Sequence, residues 1–242
     1  KVTGKAQYGA DLDMAGMLIG KVLRSPHAHA KIVKIDASKA LAIPGVKAVI
    51  SAADIAEIPN EEAFVGEGPM NFRDLQLNTI ARGKVLYEGH AVACVAATSG
   101  PVADAALAAI EVTYEVLPFV IDAEEAMAPG APLLFDDMYT IGVTPKPTTS
   151  SNVAKKVEFK LGDVEAGFKD ADVIVEGKYD TAAVHQAYIE PHACIASVNP
   201  DGQAVIFASS QGQFMIRAYV AKLLGMDISN IRVTPAEIGG GF

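Results

Sequence analysis

Seven consecutive apolar residues, Ala91–Ala97, constrain the fold more than any other feature of the sequence. A short run with no polar alternation suits a strand covered on both faces, so the chain must supply layers on either side of it. Ser99-Gly100-Pro101 follows directly and is a helix-start signal, with proline placed where its missing N–H costs nothing. Val102, Ala106 and Ile110 then recur at helical spacing, after which Val112, Tyr114 and Val116 alternate with Glu111, Thr113 and Glu115. The order is strand, helix, strand. Upstream, residues 18–23, 31–35 and 46–50 are short apolar-rich runs separated by Ser25-Pro26 and Pro44-Gly45, which suits strands joined by tight connections.

The pattern loosens from Pro118 to Asn152, where Pro129, Pro132, Pro145 and Pro147 precede Thr148-Thr149-Ser150-Ser151, and a domain boundary is expected there. Beyond it, Asp163 can cap a short helix through Phe168, and Val173, Val175 and Tyr179 alternate with Ile174, Glu176 and Lys178 in an expected strand. Asn199-Pro200-Asp201-Gly202 is a strong turn between two apolar runs and predicts a β-hairpin. Phe214, Val220, Leu223 and Leu224 form an apolar helical stripe that Gly225 can end, and residues 231–234 read as one more strand leading to Gly239-Gly240-Gly241-Phe242.

Half of the residues are hydrophobic and 20% are charged, enough for a substantial globular core. No unbroken apolar run is long enough to cross a bilayer. A formal net charge of -9 with no Lys/Arg stripe argues against a nucleic-acid partner. The opening Lys1-Val2-Thr3-Gly4-Lys5 lacks the apolar core of a signal peptide, so the cytoplasm is the expected compartment. Cys94 and Cys194 are too few and too far apart for a disulfide framework or an iron–sulfur ligand set.

Three candidate sites emerge from the residues themselves. Three successive glycines after a strand let the main chain approach a neighbour closely and leave amide hydrogens unshielded, which suits an anion; a simple turn is the alternative. The spacing fits neither a Walker loop nor a dinucleotide fingerprint. Gln211, in Ser209-Ser210-Gln211-Gly212-Gln213, sits at a strand-to-helix junction, where ligands commonly bind, and its amide both donates and accepts; a surface glutamine is the alternative. His27 with His29, and Glu190 with His192, have the two-residue spacing of ligands on one strand face, but neither pair supplies a full zinc set, and a structural role is preferred.

The ordered set of segments resembles a known family more closely than any single motif does. Val2-Thr3-Gly4-Lys5-Ala6-Gln7-Tyr8-Gly9-Ala10-Asp11, Arg24-Ser25-Pro26-His27-Ala28-His29-Ala30, Tyr87-Glu88-Gly89-His90-Ala91-Val92-Ala93 and Ile110-Glu111-Val112-Thr113-Tyr114-Glu115-Val116-Leu117-Pro118 follow the order of the a/b hammerhead domain in xanthine dehydrogenase-like and aldehyde oxidase-like molybdenum hydroxylases. Gly162-Asp163-Val164, Ile189-Glu190-Pro191-His192, Ser210-Gln211, Val220-Ala221-Lys222-Leu223-Leu224-Gly225 and the final Gly-Gly-Gly-Phe resemble the start of the molybdenum-cofactor domain.

The resemblance implies an α+β chain with a hammerhead domain over residues 1–120, a Pro/Thr/Ser-rich linker over 121–152 and the first part of a molybdopterin-binding domain over 153–242. It further implies a molybdenum–pterin cofactor, molybdopterin or its cytosine dinucleotide form. The chain would be part of a catalytic subunit that hydroxylates a carbon of an aldehyde, purine or other N-heterocycle with water-derived oxygen. Electrons would pass to [2Fe-2S] and FAD centres on partner domains or subunits of an assembled, dimeric complex.

By position, Gln211 matches the glutamine that hydrogen-bonds an oxygen ligand of molybdenum, while Gly240, Gly241 and Phe242 match a loop lining the cofactor region. No residue here is expected to bind the metal directly. The family's loop continues into Gly-Gly-Lys and its general-base glutamate lies far downstream; neither is in this sequence, so turnover is not expected from these 242 residues alone. A non-catalytic hammerhead-type interaction or assembly module is the alternative reading, and a zinc-binding domain a third.

Overall fold

A computed structural model of the chain describes residues 1–65 and 68–241. The strands are β1 (Ile19–Arg24), β2 (Ala30–Asp36), β3 (Val46–Ser51), β4 (Glu62–Val65), β5 (Gly68–Asn71), β6 (Lys84–Val85), β7 (Ala91–Ala97), β8 (Glu111–Val116), β9 (Cys194–Val198), β10 (Ala204–Ala208) and β11 (Ile231–Pro235). The helices are α1 (Ser38–Leu41), α2 (Phe72–Thr79), α3 (Gly100–Ala109), α4 (Ala123–Met127), α5 (Val164–Asp170) and α6 (Gln213–Leu224). None of the helices is long and apolar enough to cross a membrane. Two compact units result: Lys1–Leu117 together with Ala187–Phe242, and Pro118–Gln186.

In the first unit the all-apolar run is β7, the central strand of a sheet ordered β1-β7-β3, antiparallel to both neighbours. Val92, Ala93, Val95 and Ala97 are almost inaccessible to solvent. Helix α3 covers part of this sheet. Ser99 Oγ accepts from Val102 N–H at its start, Pro101 sits in its first turn, and Ala103, Ala106 and Ile110 turn inward against Ala93, Val95 and Ala97. Alanine on both partners lets helix and strand approach closely. Gly45, with φ +97°, makes the turn into β3 where a side chain would strike Thr98 Oγ1.

A second sheet, β6-β2-β8, closes over Ala30, Ala81, Val85 and Val92. The third is ordered β11-β10-β9: β9 and β10 form the expected hairpin, and β11 runs parallel to β10 after the crossover helix α6. Gly225, in the left-handed conformation, ends α6 by donating to Ala221 O. Ala204, Ala221 and Ile231 form the small core here. The inward face of α6 is narrower than its apolar stripe predicts, since Phe214 and Leu224 remain exposed. The ring of Tyr219 meets Phe72 of α2 edge to face at 5.8 Å instead.

The second unit contains the Pro-, Thr- and Ser-rich segment, and its short helices are capped by aspartates. Asp122 accepts from Glu125 N–H at 2.9 Å and Asp163 from Ala166 N–H at 3.0 Å. Asn152 ties the segment together by donating to Ala126 O and Pro132 O and accepting from Leu134 N–H. The strand expected over residues 173–179 does not form: the backbone there is irregular, and Val173, Val175 and Tyr179 are exposed. Alternation supplies a face to bury but no hydrogen-bonding neighbour, and among the described residues no strand pairs with this one.

Candidate functional site

Two parallel strands joined by a crossover helix open their loops at the same sheet edge, where α/β units commonly bind ligands. Here the loop after β10 carries Ser209, Ser210 and Gln211, and the segment after β11 carries Gly239, Gly240 and Gly241. The segment is kept in line beyond β11 by Ala236 N–H donating to Ala208 O and by a parallel bridge between Tyr8 and Glu237. Lys1 reinforces it, with Nζ 3.3 Å from the Glu237 carboxylate and donating to Ile238 O.

Gln211 and Gly241, thirty residues apart, meet directly: Gln211 Nε2 donates to Gly241 O at 2.7 Å. A Cβ built on Gly241 would lie 1.6 Å from that nitrogen, so any other residue would require the glutamine amide to swing away and give up this bond. Gly239 is equally constrained from the other side. Its N–H donates to Glu190 Oε2, and a Cβ there would fall 2.5 Å from Glu190 Cβ. Neither glycine adopts a left-handed φ, so close approach and not backbone freedom demands glycine. Gly240 lies between them, half-buried. Among the described residues the N–H groups of Gly240 and Gly241 have no hydrogen-bond partner. Phe242 lies outside the described residues.

Glu190 is therefore not half of a zinc pair. Its Oε1 accepts from Ser209 Oγ at 2.7 Å and from Gly9 N–H at 3.4 Å. The Ser209 hydroxyl, then the Gly239 N–H, hold its carboxyl below the ordinary carboxylate range. His192 packs its ring against Tyr188 at 5.0 Å, while His27 meets the Tyr114 ring edge-on at 4.9 Å and His29 is buried at the start of β2. Among the described residues no three His, Cys, Asp or Glu side chains gather as metal ligands, which removes the geometry a zinc domain would need.

Sequence reasoning named Glu190 only as half of a ligand pair with His192 and in a family-like segment, and missed its role as the carboxylate that grips Gly239. Glu190 contacts groups 181, 19 and 49 residues away. Nothing local in the chain signals such a hub, although Glu190 itself lies in one of the segments that carried the family resemblance and Ser209 directly precedes another. A cavity of about 580 Å³ opens nearby, lined in part by Lys5, Gln7, Phe207, Thr234 and Ile238, but neither Gln211 nor the glycines contribute to it.

Residues 3–118 match the a/b hammerhead domain of aldehyde oxidase and xanthine dehydrogenase, and residues 146–242 match the molybdopterin cofactor-binding domain. The chain belongs to the aldehyde oxidase and xanthine dehydrogenase family. It is 36% identical to the carbon monoxide dehydrogenase large chain of Afipia carboxidovorans, over 99% of this chain and 29% of the relative. It is 34% identical to a probable hypoxanthine oxidase of Escherichia coli K12, over 100% of this chain and 27% of the relative. The solved quinoline 2-oxidoreductase of Pseudomonas putida 86 superposes with a TM-score of 0.82 at 29% identity, covering 100% of this chain and 29% of that one. The chain thus spans less than a third of the length of these family members. Both matched regions are present in the fold described above, the hammerhead match over the sheets built on β7 and β2 and the cofactor-domain match over β9, β10, α6 and β11.

Proposed function

We propose that this chain forms one wall of the molybdenum–pterin site in the catalytic subunit of a molybdenum hydroxylase. The observation that carries the reading is the Gln211 to Gly241 hydrogen bond, which joins the two sequence-distant elements expected at the cofactor. The donor set fits an anionic, oxygen-rich group: among the described residues, a side-chain amide and two backbone N–H groups without partners stand at one sheet edge, with no cluster of ligand side chains competing for a cation.

Gln211 carries two amide hydrogens. One goes to Gly241 O, which orients the amide plane and leaves the second hydrogen to hold the cofactor. Gly240 and Gly241 would add backbone donors to the same group. When bound, the molybdenum–pterin group supplies the oxidation of a substrate carbon with oxygen derived from water. The residues here supply orientation and fixed dipoles, which act strongly where water is excluded. Electrons would leave through iron–sulfur and flavin centres on partner domains or subunits. Aldehydes, purines and other N-heterocycles are the substrate classes this reading covers.

In the complete assembled enzyme, Gln211→Ala is expected to lower turnover about ten- to a hundredfold while most molybdenum stays bound, because one outer hydrogen bond is lost. Steady-state kinetics with metal analysis checks this, and unchanged turnover would refute the role.

A further inference from the structure

The glycine run is held at both ends by side chains: Gly241 by Gln211 from the loop after β10, Gly239 by Glu190 from the segment before β9. Glu190 also grips Ser209, two residues before Gln211, and Gly9 at the N-terminal turn. We infer that Glu190 is a positioning residue whose carboxylate locks the glycine loop to the Gln211 loop, so that the amides of Gly240 and Gly241 are presented at a fixed distance from the Gln211 amide.

The chemistry of the acceptor explains why a carboxylate stands here. Three donors from three separate segments converge on one side chain: an O–H from Ser209 and N–H groups from Gly9 and Gly239. An ionised carboxylate is acceptor-only on both oxygens, whereas a glutamine would turn one NH2 toward a donor. The packing is as selective as the hydrogen bonding. A Cβ on Gly9 would lie 2.5 Å from Ser209 Oγ, and one on Gly239 would lie 2.5 Å from Glu190 Cβ, so glycine on each side permits the carboxylate and its serine partner to seat. Without Glu190, Gly239 would lose its anchor, and beyond Ile238, the last residue that Lys1 holds, the glycine run would be tied by Gln211 alone. This role rests on the cofactor reading for its purpose but not for its geometry.

The test is amide hydrogen exchange in the complete assembled enzyme, comparing the loop at residues 238–241 with the amides of β10 and β11, alongside molybdenum content and kinetics. Glu190→Ala is expected to speed exchange of the loop about ten- to a hundredfold while β10 and β11 change little, with a loss of bound molybdenum. Glu190→Gln keeps the shape and one acceptor oxygen and is expected to show a smaller acceleration. Ser209→Ala, which leaves the carboxylate but removes its hydroxyl partner, should fall between wild type and Glu190→Ala, and it serves where the alanine variant does not fold.

Unchanged loop exchange in the folded variants, or equal acceleration in β10 and β11, overturns the inference, the second because it marks general destabilisation. The two readings fail separately. Loop release in Glu190→Ala with full turnover in Gln211→Ala would keep the positioning role and refute the molybdenum reading, and a rigid loop with impaired Gln211→Ala would do the reverse.

Discussion

Strand β7 and residues 173–179 both carry apolar patterns from which a strand is expected, yet they end in opposite environments. In β7, Val92, Ala93, Val95 and Ala97 are sealed between two strands and a helix. In the second unit, Phe159 is 93% exposed and Leu161 97%. Composition already differs, since β7 is wholly apolar while residues 157–179 interleave Glu, Asp and Lys with their apolar residues. The supply of partners separates them further: β7 lies between β1 and β3, so both its backbone edges and both its faces are used, whereas the 157–179 region has a short aspartate-capped helix and, among the described residues, no sheet to join.

The largest break in this contrast comes from placing a charge at each location. Val95 is 2% exposed, and its side-chain burial contributes about 1.5–3 kcal/mol. Val95→Asp forfeits that and also buries an unpaired carboxylate, so the first unit is expected to lose at least about 4 kcal/mol and to unfold under conditions that leave the native chain intact. Denaturant titration followed by circular dichroism measures it. A loss under about 1 kcal/mol would show that the β7 core relaxes around the charge and that the contrast is overstated.

A smaller effect tests whether the first unit is sealed against protons as well. His90 is fully buried, stacks on Tyr87 at 4.4 Å and accepts the Leu86 N–H on Nδ1, which fixes that nitrogen as unprotonated. Burial pushes its pKa below the ordinary value, outweighing the Leu77 and Asn78 carbonyls that pull the other way. The unfolded chain thus binds more protons at this residue than the folded one. Stability from neutral His90 is present above the unfolded value near 6.5 and declines as pH falls through it towards the lower folded value. The slope for one such group reaches at most about 1.4 kcal/mol per pH unit. Unfolding curves between pH 7.5 and 5.5 should show the decline, and His90→Gln, which keeps an acceptor for Leu86, should flatten it. A wild-type curve already flat in that window would rule out the sealed site.

The same distinction decides what was legible in the sequence. The β7 run, the Ser99 and Asp163 caps, the β9–β10 turn and the Gly225 stop are local patterns, each complete within a few residues, and the structure contains all of them. The strand over 173–179 was not decidable that way, because pairing is a long-range property and alternation records only half of it. The candidate site shows the same split. Gln211 alone reads as a surface glutamine and the glycine run alone as a turn, both raised only by their place in the family-like series, and what Gly239 and Gly241 accommodate is the arrival of Glu190 and Gln211 side chains from elsewhere. Glycine signalled close approach without naming what approaches.

The smallest expected effect is the sharpest control on the opening contrast. Val175 is 87% exposed in an irregular stretch, so Val175→Asp removes little buried area and leaves the new carboxylate in water. In this 242-residue chain it should shift unfolding by less than about 0.5 kcal/mol, roughly a tenth of the Val95→Asp loss, although both replace valine by aspartate in a β-favouring run. The comparison holds the substitution constant, and enclosure is the largest difference between the two positions. A Val175→Asp loss above about 2 kcal/mol, read from the same denaturant titrations, would mean that the 173–179 segment is packed in solution, and that the difference between the two regions lies in what each packs against rather than in whether it packs at all.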